Sequence, residues 1–300
     1  MGRLSRLTSI AFLTAACVFD GHPDLREDYW EHDLEFLPLR TACRAHGIEL
    51  HATVWDDPSL DPDAFEAIVI GTTWDYPERP EAFLATLERL AARVPLFNPL
   101  PVVTWNLRKT YLKDLAAKGA PVVRTLWCER ADTATIAAAF DELESDEIIV
   151  KPEVGASAWR QARVRRGMAL PPASALPPGR TMIQPFLPAV ISEGELSFIF
   201  FGSVFSHCAR KMPSVGDYRV QSMYGGRECV HEPSVRELDL AKSVIAAVGE
   251  TLLYARVDML RDPSGGLVLL ELELIEPYFY PEQGAGMGDA FAAALQRLLG

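Results

Sequence analysis

The chain has 300 residues, 49% of them hydrophobic, which is enough for about two domains, or one large one, around a full core. A formal net charge of −12 excludes a nucleic-acid backbone as the principal partner, and there is no run of about eighteen apolar residues to span a membrane. Five scattered cysteines (Cys17, Cys43, Cys128, Cys208, Cys229) without CxxC spacing predict neither a disulfide framework nor a zinc site. The histidines form no HExxH pattern, and no GxSxG elbow marks a serine nucleophile.

Residues 1–100 alternate strand and helix patterns. Arg3 and Arg6 precede the apolar Ile10–Val18. That stretch imitates a short signal peptide and equally fits the buried first strand of an α/β domain; the strand reading is taken, over Ile10–Thr14. A helix is expected over Asp33–His46, ending at Gly47, then strands over Glu49–Trp55 and Ala67–Thr72 and a helix over Pro80–Arg93. Such alternation predicts a parallel sheet flanked by helices, with ligands beyond the carboxyl ends of the strands. Asp20–Asp28 and the turn Trp74-Asp75-Tyr76 fall there. The turn is either locally packed, with its Asp bonded to nearby backbone, or a substrate contact.

Asn98–Pro101 carries two prolines and reads as a linker, followed by a helix over Trp105–Lys118 that includes Lys109. Glu147–Val150 is an apolar strand that delivers Lys151; Pro152 ends it, and the small residues Gly155, Ala156, Ser157 and Ala158 follow. Small residues let backbone N–H groups approach an anion, and a lysine adds a point charge, although an ordinary tight connection has the same composition. Arg160, Arg163, Arg165 and Arg166 fit a solvated strand edge. Thr181–Leu187, with Gln184, Phe186 and Leu187, is a connecting strand.

Leu196–Phe201 and Val204–Phe205 flank Gly202-Ser203, a two-residue hairpin turn whose register sets Glu195 opposite Arg210 and leaves Lys211 at the end. Asp217-Tyr-Arg219 follows. Val235–Thr251 is an amphipathic helix, and Asp289–Leu299 a final one, preceded by Gly284–Gly288. Between them lies Leu252–Pro277, two β-rich runs around Asp262-Pro-Ser-Gly-Gly266. If Pro263–Gly266 form a four-residue loop, Asp258 faces Glu271 and Arg256 faces Glu273. Three carboxylates then crowd one patch of sheet, where Arg256 offsets only part of their repulsion; a divalent cation would resolve it, and a solvated acidic face is the plainer alternative.

Arg256-Val-Asp258, a hairpin, then Leu270-Glu271-Leu-Glu273 resembles the metal-binding segment of ATP-grasp enzymes, the family of glutathione synthetase and D-alanine–D-alanine ligase. Members usually carry Glu-x-Asn where this chain has Glu271-Leu-Glu273. The T-W-D-Y turn is similar to that of a bacterial ATP-grasp subgroup that includes the cyclo-ligase closing the D-cycloserine ring. The resemblance implies an N-terminal parallel-sheet α/β domain (1–100) and two α+β subdomains (101–186 and 187–300) clasping ATP. It implies that Asp258, Glu271 and Glu273 hold one or two Mg²⁺ ions, with Mn²⁺ as the alternative. It assigns Lys109, Lys151, Gly155, Ala156, Ser157, Gln184, Phe186, Leu187 and Glu195 to the nucleotide, and Arg219, Lys211 and Arg256 to catalysis. Trp74, Asp75, Tyr76 and Glu276 are the residues set against the substrate. The implied reaction activates a small-molecule carboxylate as an acyl phosphate and couples it to an amine, in the cytosol. Ring closure, phosphoryl transfer without ligation and plain nucleotide binding stand as alternatives, and monomer and homo-oligomer are both open.

Overall fold

The computed structural model describes residues 7–155 and 158–300. Strands β1 (Thr8–Thr14), β2 (Ile48–Val54), β3 (Ala67–Ile70) and β4 (Leu96–Phe97) form a parallel sheet in the order β2-β1-β3-β4. Alternate residues of β1 enter different cores, because side chains alternate across a strand. Ile10 and Phe12 meet Phe36 and Leu39 of α1 (Trp30–Ala45), together with Phe291 and Leu295 of the final helix, α8 (Met287–Leu299). Ala11 and Leu13 meet Phe83, Leu87 and Leu90 of α2 (Pro80–Ala91). The chain's last helix therefore completes the first sheet.

Asn98 does not lie in a free linker. It is fully buried, its Nδ2 donates to the carbonyls of Tyr254 and Leu274 (2.9 Å each), and its Oδ1 accepts from the Leu253 N–H (2.7 Å). Helix α3 begins at once (Leu100–Asn106) and is followed by α4 (Tyr111–Ala117), so the single helix expected over Trp105–Lys118 is broken, and Lys109 sits in the break. Two buried polar contacts hold α3 in place, from Asn106 Nδ2 to the Leu272 carbonyl and from the Leu274 N–H to Asn106 Oδ1.

A second, antiparallel sheet has the order β5-β8-β6-β7, with β5 Leu126–Cys128, β6 Glu147–Pro152, β7 Ala162–Arg165 and β8 Thr181–Pro185. Helix α5 (Thr133–Glu142) covers one face through Ile136, Ala139 and Phe140, and its N-cap Asp132 accepts from the Thr135 N–H. The short α6 (Ala189–Ser192) leads into the third sheet, also antiparallel, in the order β11-β10-β9-β12-β13. Its strands are β9 Glu195–Phe201, β10 Val204–Met212, β11 Arg227–Val230, β12 Tyr254–Arg261 and β13 Leu267–Glu273. Helix α7 (Val235–Val248), started by the Ser234/Glu237 capping box, covers one face. Ala241, Val244 and Ile245 pack there on Phe198, Phe200, Val257 and Met259.

The opposite face of this sheet changes character along its strands. Ile199, Phe201 and Tyr254 are apolar and join the core of the first sheet, while Glu195, Ser197, Arg256 and Asp258 are polar. The apolar half docks the sheet, and the polar half is left to form a site. Among the described residues no helix is long and apolar enough to cross a membrane.

Candidate active site

Backbone pairing brings the charged residues of the third sheet together. Asp258 faces Glu271 and Arg256 faces Glu273, as the sequence predicts. The loop is one residue longer than expected, since Arg261 rather than Asp262 pairs with Leu267, but a bulge between Met259 and Asp258 restores the register at the site. The other hairpin differs from expectation. A bulge between Phe205 and His207 shifts its register by one, so Glu195 faces Lys211. Arg210 instead bonds His231 (2.7 Å). On the remaining side of β12, Asp258 faces Ser197, whose hydroxyl donates to it.

The carboxylate patch is compensated more fully than Arg256 alone allows. Arg256 pairs with both Asp258 (3.0 Å) and Glu273. Lys211 pairs with Glu195 and stands 3.4 Å from Asp258, and Lys109 pairs with Glu271. Burial opposes charge on Asp258, yet Arg256 and Lys211 outweigh it and hold this carboxyl down to about 2. Burial likewise opposes charge on Glu271, and Lys109 overcomes it, so its pKa is lowered. Glu273 shows the reverse balance. Burial, reinforced by Asp258 and Glu271 and only partly countered by Arg256, pushes it up to about 7. Burial and the repulsion of Glu273 push Glu276 up further, and its carboxylate has no partner among the described residues. No group of three His, Cys, Asp or Glu side chains among the described residues converges as a ready metal cage; the carboxylates are turned to cations instead.

These residues line one cleft of about 200 Å³. Lys151 enters it from the second sheet, with no ion-pair partner among the described residues; burial, with Lys109 nearby, brings its amine down to about 8 against the pull of Glu271. An unpaired lysine in a cleft is a place for an anion. Gly155 lines the same wall at φ 154°, a backbone that side chains disfavour; Ala156 and Ser157 lie outside the described residues. Beside them is an apolar slot of Ile149, Phe186, Leu187, Val190, Val220 and Leu260. Gln184 borders this slot. Its Nε2 donates to Thr125 (3.0 Å), while its Oε1 is buried with no partner among the described residues, so a ligand amino group can satisfy it.

Arg219 lines the cleft, but its guanidinium is held by Asp217 (2.7 Å) and lies over the Tyr224 ring (3.7 Å). Trp74 lines it too, and its indole N–H reaches the Glu276 carbonyl (3.2 Å). Asp75 is not in the lining; its carboxylate accepts from the Trp55 indole (2.8 Å) and pairs with Arg79, side-chain partners rather than the nearby backbone expected of a local turn. Tyr76 is a core residue stacked on Phe83 (4.7 Å), bordering a smaller hollow beside Glu271 and Glu276. The later arginines are committed to ion pairs, Arg163 and Arg165 with Glu147, and Arg166 with Asp141 and Asp146.

Several residues of the site were not singled out by the sequence. Arg26 and Asp28 lie in Asp20–Asp28, the stretch expected near a ligand, and Glu31 just after it; Ser222 bonds Glu31 across the cleft (2.6 Å). Ser197, which bonds Asp258, is an ordinary strand serine until β9 is paired with β12. Tyr278 and Tyr280 follow the carboxylate hairpin, where only their aromatic spacing marks them.

A family model described as the N-terminal domain of D-cycloserine synthetase DcsG matches residues 10–98. The cycloserine biosynthesis protein DcsG of Streptomyces lavendulae is 34% identical over 274 residues, covering 84% of this chain and 91% of that protein. The chain belongs to the D-cycloserine synthetase family of ATP-grasp ligases. The crystal structure of D-cycloserine synthetase DcsG superposes with a TM-score of 0.84 at 28% identity, over 97% of this chain and all of that one. The same fold recurs in D-alanine–D-alanine ligase from Bacillus anthracis (TM-score 0.66, 14% identity, 97% and 95% coverage). It recurs as well in the ATP-grasp ligase PsnB, whose structure holds Mg and ADP (TM-score 0.64, 17% identity, 98% and 99% coverage). This family member is thus an ATP-dependent ligase that forms carbon–nitrogen bonds.

Proposed function

We propose that the cleft binds ATP with its purine in the Ile149–Phe186–Leu187 slot and its phosphates toward Lys109 and Lys151, and that it activates the carboxylate of a small amino-acid-like acid. The observation that carries this reading is the joining of an apolar slot with an orphaned acceptor, an unpaired lysine and an all-oxygen carboxylate set in one cleft. In this reading residues 1–100 supply the substrate side, 101–186 the phosphate wall and 187–300 the carboxylates.

Asp258, Glu271 and Glu273 suit Mg²⁺ because hard cations prefer oxygen donors. Their present partners, Arg256 and Lys109, are themselves phosphate-seeking groups. A bound divalent ion, one or two of Mg²⁺ or Mn²⁺, supplies charge neutralisation of the transferring phosphate. Lys109 and Lys151 orient the phosphates, and Lys211 and Arg256 face the oxygens that gain charge. Arg219 is set to reach the acyl phosphate if it exchanges Asp217 for that anion. The substrate carboxylate oxygen forms a bond to the γ-phosphorus as the bond to ADP breaks. The amine lone pair then forms the C–N bond, and phosphate leaves with the C–O bonding pair and takes up the proton that the nitrogen loses. The likeness to DcsG along most of both chains supports ring closure within one molecule over joining two. Trp74, Glu276 and, beneath them, Tyr76 bound the substrate end.

The test offers free D- and L-amino acids with ATP and Mg²⁺, each with and without hydroxylamine. An acyl phosphate yields a hydroxamate with ADP and phosphate. AMP with pyrophosphate, or a stable phospho-product indifferent to hydroxylamine, refutes the mechanism.

A further inference from the structure

Tyr280 lines the cleft and has no task in the reading above. Its backbone is at φ 52°, in the left-handed region that a bulky side chain avoids. Such a conformation persists only where the surroundings impose it, and here they do. Arg256 Nη1 donates to the Tyr278 carbonyl (3.1 Å), and the Phe279 N–H donates to the Glu35 carboxylate (2.7 Å). His207 Nε2 bonds the Phe279 carbonyl (2.7 Å), and the Gln283 N–H closes a turn onto the Tyr280 carbonyl (3.0 Å). Glu35 and His207 are both buried and come from different elements, α1 and β10, yet they converge on the residue next to the strained one. Gly284 lets the His207 ring come close, since a Cβ there would lie 2.4 Å from it.

This clamp sets the Tyr280 ring 5.7 Å from the Lys211 ammonium and 5.4 Å from the Arg256 guanidinium, edge-on to Tyr278 at 5.1 Å. A phenylalanine would serve all three contacts equally well. The hydroxyl is what distinguishes tyrosine; among the described residues it has no hydrogen-bond partner, and it is not one of the fully enclosed unpartnered atoms, so it keeps access to the cleft that the residue lines. A phenol at the wall of a cleft can donate to an acceptor that enters it. Flanking cations favour an acceptor with negative charge. Tyr280 packs with the core of the first sheet, and through Tyr278 with Trp74 (6.2 Å), not with the apolar slot of Phe186 and Leu187.

We propose that Tyr280 is a substrate-contacting catalytic residue whose hydroxyl donates a hydrogen bond to the carboxylate under activation and then to the oxyanion formed when the amine adds. Glu35 and His207 are positioning residues that act on it through the Phe279 peptide groups. The proposal rests on the ligase reading, since it needs an acyl group in the cleft.

The experiment is Tyr280→Phe, assayed with hydroxylamine and the free amino acid that gives the wild type its largest ADP release. Losing one donor to an oxyanion should lower kcat by about 10²-fold. ATP affinity by calorimetry and the melting temperature should stay at wild-type values, because the ring and its packing remain. Wild-type kcat in the variant overturns the proposal while leaving the ligase reading intact. So does a loss that only follows a lower melting temperature or weaker ATP binding. If the wild type itself forms no hydroxamate, the ligase reading fails and the acyl role of Tyr280 with it.

Discussion

Glu35 offers a quantitative test of how the site is supported. Its side chain is 1% exposed, accepts one backbone N–H, and is pushed by burial up to about 8 from an ordinary 4.5. A carboxyl with a raised folded pKa binds its proton more tightly in the folded state. Its contribution to stability is therefore complete below about 4.5 and is lost as pH rises through about 8. At about 1.4 kcal/mol per unit, the full swing is ~5 kcal/mol, and ~4 kcal/mol of it falls between about pH 5 and pH 9. Glu35→Gln cannot ionise, and its amide oxygen can still accept the Phe279 N–H. Urea unfolding of both proteins across that range should find them similar in acid and the variant increasingly the more stable in base. Buried carboxyls that do not interact with Glu35 titrate in both proteins and cancel in the difference, and the nearby Glu31 adds its repulsion to the swing in the same direction. A stability difference independent of pH would refute the reasoning.

Asp258→Asn should abolish ADP formation and also lower the melting temperature, because it removes one of the two carboxylates beside each of Lys211 and Arg256, leaving them Glu195 and Glu273, at a cost of roughly 1.5–3 kcal/mol; calorimetry showing an unchanged or higher melting temperature would contradict this. Lys151→Ala should weaken ATP binding more than adenosine binding with little loss of stability, since no ion pair is broken; equal effects on both ligands would return Lys151 to a structural role. Asn98→Ala removes three buried hydrogen bonds between the first and third sheets and should destabilise by ~3 kcal/mol in urea unfolding, a figure that an effect under ~1 kcal/mol would refute.

Local patterns made the strands and helices legible, but contacts between distant elements were not. β1 and β3 were readable because strands buried on both faces are continuously apolar. The pairing of Asp258 with Glu271 followed from turn chemistry, although two deviations cancel to produce it, a longer loop and a bulge. Where a bulge stands alone, as between Phe205 and His207, the same reasoning pairs Glu195 with the wrong residue; nothing in Phe205-Ser206-His207 signals the extra residue. The helix break at Lys109 escaped notice because residues 105–118 keep helical spacing on both sides of it. Asn98 reads as linker by composition, and only its three distant backbone partners make it a clasp. Tyr280 is hidden for a related reason, since its strain is imposed by Glu35 and His207, far away in the chain.

The largest revision concerns charge. One hairpin contributes three carboxylates and a single arginine, so from the hairpin alone repulsion dominates. The missing cations come from three other places: Lys109 from the break between α3 and α4, Lys151 from β6 and Lys211 from β10. With them Arg256, Lys109, Lys151 and Lys211 stand around Asp258, Glu271, Glu273, Glu276 and Glu195 in the cleft. Not every group is satisfied. Lys151 lacks a partner among the described residues and burial lowers its pKa, while burial and the neighbouring carboxylates push Glu273 and Glu276 up against the pull of Arg256 and Lys109. An anion alone would draw Lys109 from Glu271 and Arg256 from Glu273, and so uncover carboxylates in a buried cleft. A divalent cation alone would take those carboxylates and leave the same basic groups uncovered. Only the two together give each released partner a new one, so on the proposed assignment of these residues the charge arrangement would favour nucleotide and metal entering as a coupled pair.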